Sequence, residues 1–176
     1  MDNYGLRATS ILEGSLSEDL FSKTLSKRGW SVIPADKEMQ FNHIDFALEK
    51  DKVKFTVDVK SKKRISSQNE NHNQEWLWVE FAGHSGKPGW LYGQASHIAF
   101  QLEDGFLLVS RKPLADFCES KINLNAPTWE WATDPQEAKY KLYRRWTAFM
   151  GKSEEKSALI KLEDLKSEIK TRLIPF

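Results

Sequence analysis

Residues Phe41 to Arg64, FNHIDFALEKDKVKFTVDVKSKKR, alternate apolar and polar side chains with a period of two, which restricts this stretch to two strands joined by a short charged turn. Val53, Phe55, Val57 and Val59 fall on one side of the second strand. Lys54, Thr56, Asp58 and Lys60 fall on the other. In the first strand Ile44, Phe46 and Leu48 form the apolar set and Asp45 lies opposite them. Pairing the strands antiparallel through a turn near Glu49 to Lys52 sets Asp45 across from Thr56 or from Asp58. Both registers keep the apolar sets together, and both gather Asp45, Asp58 and Lys60 on one face.

Two carboxylates about 4 Å apart repel by roughly 4 kcal/mol at an effective dielectric near 20, so positive charge is required between them. Lys60 supplies one charge. A divalent cation fits better, because a hard ion such as magnesium takes one or two carboxylates and keeps its other positions for water and phosphate oxygens. An ion held there lowers the pKa of a bound water and stabilises charge at a phosphorus centre under attack.

Asp45, followed on the next strand by Asp58-Val59-Lys60, resembles the signature of the PD-(D/E)xK nuclease superfamily, with Ile44 where the pattern has proline. Gly14-Ser15-Leu16-Ser17-Glu18 is similar to the start of archaeal-type Holliday-junction resolvases in the same superfamily. The resemblance implies an α/β (α+β) chain whose central mixed sheet is flanked by helices in the restriction-endonuclease-like arrangement. It implies a metal-dependent endonuclease that hydrolyses DNA phosphodiester bonds, similar to small phage- or mobile-element-encoded nucleases. Asp45, Asp58, the Val59 carbonyl and Glu18 would hold Mg2+, with Mn2+ as a substitute, and Lys60 would orient or deprotonate the attacking water. Glu80, on the strand after the D-x-K, would help position the water or the lysine. DNA is the implied partner, and a homodimer stays open beside the monomer. A non-catalytic nucleic-acid- or protein-binding module on the same fold is the alternative.

Glu18 has a competing role. Ser15 and Glu18 form S-x-x-E, a capping box in which the glutamate only satisfies a backbone donor at a helix start. Glu80 is equally read as a half-exposed strand glutamate.

The 176 residues suit a single domain, 1–176, and 40% hydrophobic with 29% charged residues is ordinary for a globular chain. The net charge of +1 argues against a nucleic-acid partner that depends on overall basicity. Charge is uneven, however: Lys50, Lys52, Lys54, Lys60, Lys62, Lys63 and Arg64 crowd the hairpin, and Lys62, Lys63 and Arg64 are candidates for backbone contact. No apolar stretch is long enough to span a membrane, and the N-terminus has no signal-peptide pattern. With one cysteine, Cys118, the chain is expected to work in a reducing cytoplasm, the thiol serving as a small apolar filler in a helix. His43, His72, His84 and His97 show no zinc spacing.

In chain order, the residues before Ser10 are expected to be a loose lead-in. A helix follows from about Leu16 to Arg28, burying Leu16, Leu20, Phe21 and Leu25 and stopped by Gly29. Trp30 to Ile33 is a short strand ended by Pro34. Ile65 to Glu75, rich in Asn and Gln, is a flexible loop. Trp76 to Phe81 is expected as the third strand of the sheet, and Trp90 in the glycine-rich turn after it caps a core rather than stacking on a base. Ser96 to Gln101 pairs with Phe106 to Ser110, and Pro113 to Ser120 is helical. Leu142 to Thr147 is read as a strand paired with Ser157 to Leu162, against a helix beginning at Asp134-Pro135. Leu162 to Leu173 closes the chain as an amphipathic helix.

Overall fold

The hairpin expected from the alternation is present. In the computed structural model, which describes residues 3–66, 69, 71–83, 85–144 and 155–176, with side chains from residue 11 onward, β2 (Phe46–Lys50) pairs antiparallel with β3 (Val53–Lys60). Phe46 lies opposite Val57 and Leu48 opposite Phe55. Asp51 makes the tight link by adopting φ 54°, a left-handed conformation that a short polar side chain tolerates.

The chain is α+β. Its helices are α1 (Asn3–Ser26), α2 (Lys37–Phe41), α3 (Arg111–Lys121) and α4 (Leu162–Glu168), and the remaining strands are β1 (Ser31–Pro34), β4 (Trp76–Ala82), β5 (His97–Gln101), β6 (Gly105–Ser110), β7 (Lys156–Lys161) and β8 (Thr171–Pro175). Two compact units divide them. The first comprises Met1–Lys62, Gln94–Ser110 and Thr171–Phe176, and the second comprises Lys63–Gly93 and Arg111–Lys170.

The first unit holds a mixed six-stranded sheet in the order β1-β2-β3-β5-β6-β8. Its pairs are antiparallel except β3 with β5, which run parallel with Val59 opposite Ala99. Helix α1 covers one face. Phe21 and Leu25 pack on Phe46, Leu48, Val57, Val59, Ala99, Phe106 and Ile174. Phe21 is fully buried, edge-on to the Phe106 ring at 5.0 Å between centroids and 6.0 Å from that of Phe46. Gly29, at φ 78°, ends the helical run, as expected from sequence.

The first helix is longer than expected. It begins at Asn3, so the lead-in is helical, because Leu6, Arg7, Ala8, Leu12 and Glu13 are good helix formers and Gly5 and Gly14 cost only about 1 kcal/mol each. Leu16, expected on the buried stripe, is 59% exposed, and Ser17 takes its place with Phe21, Thr24 and Leu25, the i, i+4, i+7, i+8 set. Residues 37–41 form the short helix α2, capped by the Asp36 carboxylate on the Met39 N–H at 2.9 Å.

At the far side of the sheet, Gly105 faces Pro175 across β6 and β8, and a Cβ placed on it would lie 2.3 Å from the Ile174 carbonyl oxygen and 2.8 Å from the Pro175 Cα. Both are backbone atoms and cannot swing aside. Gly105→Ala is therefore expected to cost about 2 to 3 kcal/mol. The check is the urea midpoint at constant slope; an unchanged midpoint would show that β8 does not bind tightly there.

The second unit contains the pair β4 and β7, antiparallel, with Leu77 opposite Ile160 and Val79 opposite Ala158. Trp76 and Trp78 pack beside Ile65 and Tyr143 on a small core of Ala132, Ala138 and Leu159, and Trp78 donates its indole N–H to the Arg64 carbonyl at 3.0 Å. Leu77, Val79 and Phe81 are buried. Helix α3 starts two residues before the expected Pro113 and buries Leu114, Ala115, Phe117 and Cys118. Trp90 is buried, in keeping with a core role.

Two assignments need correction. β4 is not the third strand of the large sheet, since it pairs with β7 and the place beside β3 belongs to β5. The end of the chain is not one helix: α4 stops at Glu168 and Thr171–Pro175 pairs with β6. The helical period is real, but pairing with β6 outweighs it. Of the strand expected at 142–147, Tyr143 makes one antiparallel bridge to Ser157, and residues 145–147 lie outside the described part. The loop expected at 65–75 is described only in part; within it Asn73 is tied by its N–H to the Lys63 carbonyl and by its amide to the Trp76 carbonyl. Among the described residues no helix is long and apolar enough to cross a membrane.

Candidate active site

The hairpin register closes one question left by the sequence. Asp45, immediately before β2, donates its N–H to the Val57 carbonyl at 2.9 Å, while its own Oδ2 accepts the Val59 N–H at 2.7 Å. The carboxylate thus serves as the acceptor that a backbone carbonyl would otherwise provide, and the ladder ends there. His43, two residues earlier, stands at φ 58°, and Ile44 leaves the main core to pack with Ala35 and Ala95. Both features turn the chain so that Asp45 faces Asp58.

Asp58 is 2% exposed, although it is charged at neutral pH when in water. Its Oδ1 pairs with Lys60 Nζ at 2.7 Å. Its Oδ2 is buried and makes no hydrogen bond. A buried carboxylate oxygen without a partner is costly, and native structures rarely keep one without a use.

The electrostatics agree. Burial pushes the Asp58 carboxyl up to about 7 from an ordinary 3.8, Lys60 opposes this, and the neighbouring Asp45 adds to it. Glu18, half-buried on α1, is also raised, first by burial and then by Asp45, with Lys60 acting the other way. Asp58 and Glu18 therefore both sense the Asp45 carboxylate and the Lys60 ammonium group. The capping-box role for Glu18 is removed, because Ser15 lies in the middle of α1 rather than at its start.

Of the residues singled out from sequence, Asp45, Asp58 and Lys60 are brought together, and Glu18 lies close enough for its charge to matter. Val59 presents its N–H to Asp45, its side chain being buried in the core beneath α1. Glu80 lies on β4, which pairs with β7 and not with β3. Lys62, Lys63 and Arg64 follow β3 in an irregular segment, with Lys63 exposed and Lys62 and Arg64 half-buried. Sequence missed Ser17, whose buried hydroxyl makes no hydrogen bond one residue from Glu18. The signal was a polar residue on the 17-21-24-25 stripe.

Other reactive groups are accounted for. Cys118 is fully buried in α3 and its thiol is pushed up to about 12 by burial, so it is inert, as its place in the sequence suggested. His97 is held between the Ser96 and Ser110 hydroxyls, at 3.0 and 3.4 Å, and burial lowers its pKa.

Among the described residues no three His, Cys, Asp or Glu side chains converge as a metal-binding group. What the protein offers a cation is a pair of carboxylates, one with an unsatisfied buried oxygen, and that donor set suits a hard ion that keeps most of its water. The chain matches no family model, no curated protein and no solved structure. Its site is therefore defined by its chemistry: two acids and a lysine at the end of a central strand, one acid held buried against its own charge.

Proposed function

We propose that this chain is a magnesium-dependent deoxyribonuclease with a PD-(D/E)xK site on a restriction-endonuclease-like core. The observation that carries this is the buried, unpartnered Oδ2 of Asp58 beside Asp45, with Lys60 on the opposite oxygen. The strand arrangement supports it: a helix, then an antiparallel β1-β2-β3 meander, then a parallel strand beside the one carrying the D-x-K. Asp45 and Asp58, with the Val59 carbonyl and Glu18, would hold the ion. When bound, magnesium would supply Lewis-acid stabilisation of the phosphate and a more acidic water.

The chain's own residues do the rest. Lys60, three-quarters buried, presents an ammonium that orients the attacking water and offsets charge gathering on the phosphate. Lys62, Lys63 and Arg64 would grip the nucleic-acid backbone without reading sequence.

Wild-type protein is expected to nick plasmid, single-stranded or branched DNA with either magnesium or manganese, and Asp45→Ala to slow cleavage by at least about a hundredfold. Gel assays of supercoiled plasmid decide it. A pure wild type that cleaves nothing, or cleavage indifferent to Asp45→Ala, overturns the proposal and favours a binding module on the same fold.

A further inference from the structure

Both acids at the site have one oxygen already committed to the protein. Asp45 Oδ2 holds the Val59 N–H at 2.7 Å, and Asp58 Oδ1 holds Lys60 Nζ at 2.7 Å. Asp58 is almost wholly buried, so its carboxylate cannot swing out to rearrange these bonds, and its other oxygen is the one without a partner. For either acid, two-oxygen coordination of a cation would compete with a bond that one oxygen already makes to the protein.

We infer that Lys60 determines which cation the site accepts: by occupying Asp58 Oδ1 it disfavours two-oxygen coordination and so selects against calcium. The inference rests on the cation site proposed above and adds a role for Lys60 distinct from that at the water. Calcium gathers six to eight oxygens at about 2.3–2.6 Å and readily takes both oxygens of one carboxylate. Magnesium demands six in near-octahedral geometry at about 2.0–2.1 Å and keeps waters in preference to a two-oxygen bite. A site that favours single oxygens gives up ligands that calcium would use and magnesium would not. The β-strand backbone reinforces the preference, because Val59 N–H cannot leave Asp45 without disturbing the strand end, and Lys60 shares a face with Asp58 by the two-residue period.

The effect is separable from simple charge. Removing the ammonium strengthens binding of any dication, but equally for magnesium and calcium, so the ratio of the two affinities isolates the coordination effect.

The test is binding without DNA. Free manganese is read by its electron paramagnetic resonance signal, and magnesium and calcium are titrated as competitors against wild type, Lys60→Met, Lys60→Gln and Lys60→Arg. Wild type is expected to prefer magnesium. Lys60→Met, which empties Oδ1, should move the calcium-to-magnesium affinity ratio about tenfold toward calcium. Lys60→Gln and Lys60→Arg keep a donor for that oxygen, one neutral and one charged, and should keep the wild-type ratio. Thermal melts confirm that each variant is folded, and Lys60→Ala, which also empties Oδ1 and carries the same expected shift, takes the place of Lys60→Met should that variant fail to fold. A ratio unchanged in Lys60→Met, or shifted equally in the glutamine and arginine variants, overturns the role of Lys60 while leaving the cation site standing. Manganese binding that is absent, or is untouched by Asp45→Ala, overturns both.

Discussion

Asp58→Asn is expected to abolish cleavage and, at pH 8 without metal, to make the protein more stable. The activity loss follows from removing one negative charge next to a dication. A unit charge at about 4 Å is worth about 4 kcal/mol at an effective dielectric of 20, which corresponds to a rate loss on the order of a thousandfold. The stability gain follows from the position of the carboxylate, 2% exposed with one oxygen unsatisfied. Two effects compete in the variant. Losing the partner of a buried Lys60 would destabilise, but Lys60 is a quarter exposed and can turn to water. Relieving the buried charge stabilises, and this is the larger effect, because the Asp58 pKa stands at about 7 even with Lys60 pulling it down. A rise from 3.8 to about 7 corresponds to roughly 4 kcal/mol. The amide recovers about half of it, since its own polar atoms still need partners.

The pH window follows from the direction of that displacement. A carboxyl whose folded pKa is raised binds its proton more tightly in the native state than in the unfolded chain. Its favourable contribution is complete below about pH 4 and is lost as pH rises through about 7. The advantage of Asp58→Asn should therefore be absent at pH 4 and approach about 2 kcal/mol at pH 8. Urea unfolding in chelator at the two pH values measures it. A variant less stable than wild type at pH 8 would show that the Lys60 pair outweighs the burial cost.

Much of the site was legible because it depends on local periodicity. The alternation across Val53 to Lys60 fixes which face Asp58 and Lys60 share, and any antiparallel pairing that keeps Phe46 and Leu48 in the core brings Asp45 to the same face. Choosing between Thr56 and Asp58 as its neighbour required the bonds at the strand end, where the Asp45 carboxylate captures the Val59 N–H. Partner choice was not legible. WLWVEF carries the pattern of a strand, but nothing within six residues states whether it lies beside β3 or beside β7. Nor does LEDLKSEIKTRLI announce a break, because Leu162, Leu165, Ile169 and Leu173 keep a helical period across it. The strand at its end exists because β6 has an edge to fill. Ser15 and Glu18 formed a capping box on paper only because the start of α1 was placed thirteen residues late.

Phe21→Ala is expected to be the most damaging core change, at about 4 kcal/mol. The ring is fully buried, meets Phe106 edge-on and lies against Phe46, and so joins α1 to β2 and β6 of the large sheet at once. Truncation leaves a cavity that a helix held mainly by Phe21 and Leu25 can close only by shifting, which would also displace Glu18 one turn earlier in the same helix. Against a typical stability of about 5 to 15 kcal/mol, such a loss unfolds a substantial fraction at 37 °C. Phe21→Leu keeps most of the volume and should cost about 1.5 kcal/mol. Urea unfolding at constant slope measures both, and a loss below about 2 kcal/mol for the alanine variant would mean that α1 is not anchored through this ring. Cleavage separates fold from chemistry. Phe21→Ala should regain activity on cooling to 15 °C as the folded fraction recovers, whereas Asp58→Asn, folded throughout, should regain none.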